Sequence, residues 1–76
     1  MQGEFMNAEE EMVYLRAAIR ETVLRRDRLK DAMERWYASQ PGKRFPQKLE
    51  LVSLDEKLSW LDRRFKRVWD AQQSQQ

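Results

Sequence analysis

Ser39-Gln40-Pro41-Gly42-Lys43-Arg44-Phe45-Pro46 holds both prolines of the chain and one of its two glycines. Proline lacks the N–H that would continue a helix, and glycine supplies the backbone freedom a reversal needs. Upstream, neither residue interrupts the stretch from Asn7 to Gln40, and downstream neither occurs after Pro46. One break between two uninterrupted stretches predicts two helices and one turn.

Working outward, both stretches carry a helical repeat. Met12, Leu15, Ile19, Thr22, Arg26, Leu29, Met33 and Trp36 recur in alternating steps of three and four, a heptad seam with two polar members in its middle. Leu51, Leu54, Leu58, Leu61, Phe65 and Val68 repeat the same steps without a break. Asn7 with Glu10 three residues on reads as a capping box, and Glu9, Glu10 and Glu11 fall where the helix dipole favours negative charge. Helix 1 is therefore expected over about 8–39, the turn over 40–46 and helix 2 over about 47–71. Ser53 with Glu56 offers an inner start for helix 2, but Leu51 already belongs to the heptad and favours the earlier one. The Gln-rich end, 73–76, reads as a frayed tail. Gln2-Gly3-Glu4-Phe5 looks like a protease-site and cloning remnant, so that 1–6 is expected to be disordered and Met6 to be the native start.

A connection of about six residues makes the helices antiparallel neighbours. Centring the turn near Lys43 sets Trp36 level with Leu51, Leu29 with Leu58, Thr22 with Phe65, and Leu15 with the tail. On that register the first turns of helix 1 overhang helix 2. The expected fold is an all-α, antiparallel two-helix hairpin forming a single domain over 7–72.

Length and composition then bound the function. A chain of 76 residues buries little of its surface and needs a staple, a metal or a partner. There is no cysteine and no histidine, which removes disulfides, thiolate ligands, the commonest metal ligand and the commonest general base together. No Ser-His-Asp or Cys-His set can be assembled, and two glycines make no phosphate-binding loop. The expectation is a protein that is not an enzyme, with no catalytic residue, metal or cofactor. Fifteen basic residues against 13 acidic leave a net charge of only +2, too mild to imply nucleic acid by itself. No stretch has the apolar length of a membrane span and no secretory h-region opens the chain, so a cytoplasmic protein is expected.

The remaining stabiliser is association. The first half of helix 1 is apolar nearly all round, and helix 2 can cover one stripe of it. Met12, Val13, Leu15, Ala17, Ile19, Val23 and Leu24 are the expected oligomer interface, most simply of a homodimer forming a four-helix bundle. The two polar seam residues, Thr22 and Arg26, either fix register or mark the drift of the seam, with Arg26 reaching Asp62 or Trp60 in the first case.

On helix 2, Trp60, Arg63, Arg64 and Arg67 share one face, roughly opposite the seam. Trp and Arg dominate protein-binding hot spots, so this face is a candidate for a protein partner; packing of Trp60 inside the bundle beside solvated arginines is the other reading. The expected function is a non-catalytic interaction and oligomerisation module, a small adaptor or regulator. The alternative is a nucleic-acid-binding regulator (RNA or DNA) using the basic face of helix 2, with Arg25, Arg26, Arg28, Lys43, Arg44 and Lys48 extending it. That alternative resembles, in architecture alone, dimeric hairpins that bind paired RNA loops. Leu58-Ser59-Trp60-Leu61-Asp62 falls one residue short of the Leu-Ser-x-x-Leu-Asp motif of helical-hairpin phosphatases of sporulation regulators, and the motif is not matched.

Overall fold

A computed structural model describes residues 7–74. Two helices, α1 (Ala8–Ser39) and α2 (Lys48–Ser74), run antiparallel as a hairpin, with no strand among the described residues. The start of α1 is the capping box: Glu10 N donates to Asn7 Oδ1 at 2.8 Å, and Asn7 N donates to Glu10 Oε1 at 3.2 Å. The two exchanges satisfy N–H groups that no helical carbonyl can reach.

At the other end, Gln40 N donates to Trp36 O at 2.7 Å and the helix stops before Pro41. Lys43 N then donates to Gln40 O at 3.2 Å across Pro41-Gly42, and Gly42 has φ 85°. Proline followed by a left-handed glycine is the signature of a type II turn. A second turn, Lys48 N to Phe45 O at 3.3 Å with Pro46 inside it, leads into α2. Leu51 N to Gln47 O at 3.1 Å is the first α-helical bond, so Pro46 lies before α2 and the inner start at Ser53 is not used. Gln72, Gln73 and Ser74 continue α2 past the expected end, with Ser74 Oγ donating to Asp70 O at 2.8 Å. The proposed remnant at 1–6, and Gln75 and Gln76 of the expected frayed tail, lie outside the described residues.

The seam is the core. Met12, Leu15, Leu61 and Val68 form one buried cluster, flanked by the half-buried Ala18, Ile19 and Phe65, with Leu15 the most enclosed at 2% exposed. Leu51, Leu54 and Phe45 carry burial towards the turn. Thr22 is also buried, and its Oγ1 donates to Ala18 O in its own helix at 2.7 Å.

Register is where the structure departs from expectation. Arg16, not Thr22, lies at the level of Phe65, its guanidinium carbon 5.8 Å from the ring centre. Glu11 meets Arg64 at 2.7 Å, and Arg26 meets Asp55 at 3.7 Å. Relative to the turn-centred pairing, α2 is displaced by roughly two turns, on the order of 10 Å, towards the start of α1. The cause is the connection, which returns beside α1: Trp36 Nε1 donates to Lys43 O at 3.1 Å, and the Trp36 and Phe45 rings pack edge-on at 6.3 Å. Each extended residue spans about 3.3 Å against 1.5 Å in a helix, so a few loop residues cover several helical levels. The overhang therefore belongs to the turn end of α1. Its first turns are covered, and Met12 is buried beside Val68.

Candidate interaction surface

On α2, Trp60, Arg63, Arg64 and Arg67 do gather, lining a shallow groove together with Glu11 of α1. Glu11 belongs to α1, so the groove reaches across to the other helix. Trp60 also lines the adjoining groove between the helices, whose α1 wall is Tyr14, Ala17, Ala18, Glu21, Thr22 and Arg25. The indole is 57% exposed, an apolar surface beside small side chains that let another chain approach closely. Arg64 is not free for a partner: its Nε donates to Glu11 Oε2 at 2.7 Å, which ties the start of α1 to α2. Arg63 and Arg67 enter no ion pair among the described residues.

Arg25 and Arg26, expected to extend that basic face, lie at the level of the first half of α2. Arg25 pairs with Glu50 at 3.7 Å, and Arg26 with Asp55 and Asp27 at 3.7 and 3.5 Å. Arg26 reaches neither Asp62 nor Trp60; Asp62 pairs with Lys66 at 3.8 Å instead. Asp62 and Lys66 pair within α2 at i, i+4 spacing, whereas Arg25 turns away from Glu21, four residues before it, to the opposite helix. The basic residues are thus interleaved with carboxylates along most of the hairpin.

The expected oligomer residues divide in three. Met12 and Leu15 are enclosed between the two helices and are unavailable to a second copy. Val13 (65% exposed) and Leu24 (48% exposed) point outward from α1 with Ala17 exposed beside them, whereas Val23 is half-buried and Ile19 packs against the core cluster. Tyr14, exposed beside Val13, extends this apolar surface towards Trp60.

A further hollow went unread in the sequence. Trp36, Tyr37, Phe45, Pro46 and Leu49 line it at the turn end, with Lys43, Arg44 and Lys48 around them. Its cue in the sequence is Phe45-Pro46, an aromatic–proline pair within the turn. Phe45 is in fact buried. Among the described residues no cluster of three or more Asp and Glu side chains is placed to hold a metal ion, and no helix is long and apolar enough to cross a membrane. No protein-family model matches the chain, and no curated protein or solved structure matches it significantly.

Proposed function

We propose that this protein is a non-catalytic interaction module, acting in the cytoplasm as a small adaptor or regulator. Two hairpins pair into a four-helix bundle through the outer face of α1, and Trp60 with Arg63 and Arg67 engages a protein partner. The observation carrying this reading is an outward row on which three of four members, Val13, Ala17 and Leu24, are apolar and Arg20 is the fourth, on a hairpin with a single seam of core. A helix that is apolar on two opposite sides is stable in water when both are covered. Sedimentation equilibrium of the full chain at micromolar concentration is expected to return the mass of a dimer. A folded monomer would remove the bundle. For the partner surface, capture from source-cell lysate with Trp60→Ala as the comparison is expected to lose the partner, with or without nuclease.

The nucleic-acid reading keeps one specific support, the exposed Trp60 ring beside two arginines without ion pairs among the described residues. An aromatic face next to cations is what a single strand uses for stacking and phosphate contact. Binding of that kind weakens steeply with salt. Oligonucleotide binding at low salt that is abolished by Arg63→Ala with Arg67→Ala would favour it over the protein-partner reading.

A further inference from the structure

The turn end of the hairpin has the build of a second binding site, separate from the outer face of α1 and from Trp60. Its hollow measures about 680 Å³, within the range of roughly 300–1,000 Å³ typical of ligand pockets. Its aromatic wall is braced within the hairpin. Trp36 is held by its Nε1 bond to Lys43 O and by the edge of Phe45, while Pro41, Gly42 and Pro46 set the path of the connection. Such preorganisation lowers the ordering cost of binding. Leu49, at 83% exposed, is the most exposed large apolar side chain of the described residues and stands at this hollow, where the hairpin offers it nothing to pack on.

Charge selects the occupant. Lys43, Arg44 and Lys48 line the hollow, no carboxylate does, and none of the three enters an ion pair among the described residues. Glu50, the acid in the first turn of α2, is engaged by Gln47 Nε2 at 3.3 Å and Arg25 at 3.7 Å. We propose that this hollow binds an acidic peptide segment of a protein partner, seating an apolar side chain among Trp36, Phe45 and Leu49 while flanking carboxylates meet Lys43, Arg44 and Lys48. A nucleic acid fits less well. Stacking requires open ring faces, whereas Trp36 is half-buried with its N–H committed, and Leu49 offers nothing to a sugar-phosphate chain.

The test is a titration of the ¹⁵N-labelled full chain, followed by NMR, with a short peptide bearing Leu-Phe between glutamates. Its counterpart with lysines for the glutamates, and oligo-dT, serve as comparisons. Saturable shifts are expected at the Trp36 indole N–H and the amides of residues 43–49, with the Trp60 indole unmoved. Combining Lys43→Glu, Arg44→Glu and Lys48→Glu, all at exposed positions, is expected to weaken the glutamate peptide at least about tenfold. Leu49→Ala removes apolar contact without touching charge and is expected to weaken it severalfold. No saturable shift with the glutamate peptide overturns the proposal. So does equal binding of the lysine peptide, and so does oligo-dT moving the same signals when the peptide does not. Sedimentation of the dimer reads none of these signals, so the two proposals fail separately.

Discussion

Thr22 and Arg26 interrupt the same apolar seam, but they resolve the interruption differently. Thr22 returns its hydroxyl to Ala18 O within α1 and has no hydrogen-bond partner on α2 among the described residues, so it is satisfied whatever α2 does. Arg26 crosses to Asp55, and its side chain is 25% exposed with Nε buried and without a hydrogen-bond partner. A buried donor left unsatisfied costs on the order of 1–3 kcal/mol, while a partly exposed ion pair returns about 1 kcal/mol or less. Arg26→Leu is therefore expected to raise the melting temperature, by about 4–8 °C for each kcal/mol recovered in a domain of this size. Thermal unfolding by circular dichroism reads this directly, and a lower melting temperature would mean that the Asp55 pair outweighs the stranded donor. The identity of the polar breaks was legible from heptad spacing alone. The partner of Arg26 was not, because Asp55 or Asp62 faces it according to a register that spacing leaves open.

Among the elements, the helices were legible and the way they meet was not. Asn7, Glu10 and the unbroken heptads determine α1 and α2 through short-range chemistry, which a sequence displays. Register depends on how far the connection travels, and a residue count does not reveal whether loop residues are coiled or extended. The two turns at Gln40–Lys43 and Phe45–Lys48, with Phe45 folded back on Trp36, set the displacement. The aromatic hollow at the turn end follows from the same fold-back and was missed for the same reason. The left-handed glycine is the point to test. A Cβ added at Gly42 meets nothing within 4 Å, so the cost of Gly42→Ala is the backbone's alone. Forcing alanine to φ 85° is expected to destabilise the hairpin by about 1–2 kcal/mol. A change below half of that in denaturant unfolding would show that the turn relaxes to another type, with the register free to move.

At the scale of the whole molecule, the hairpin is a thin slab, 55 × 26 × 15 Å, and its thinness decides how it must be stabilised. Two helices share one contact face, so every apolar residue off that face stays in water unless another chain covers it. Val13, Ala17, Arg20 and Leu24 follow one another along the outside of α1 in steps of four, three and four, with the small Ala17 next to Val13. That arrangement allows two α1 helices to approach closely across a twofold axis. If this is the dimer, folding and association are linked. The melting temperature of the wild-type chain then rises with protein concentration, each tenfold step being worth about 1.4 kcal/mol per dimer. Val13→Lys with Leu24→Lys places two cations on that row while leaving Leu15, Leu61 and Val68 untouched inside. The double variant is expected to sediment as a monomer, to melt below the wild type, and to lose the concentration dependence. A wild-type melting temperature that is flat across a hundredfold range of concentration would end the dimer reading. A double variant that still sediments as a dimer would move the interface off this row, towards the flank of Tyr14 and Trp60.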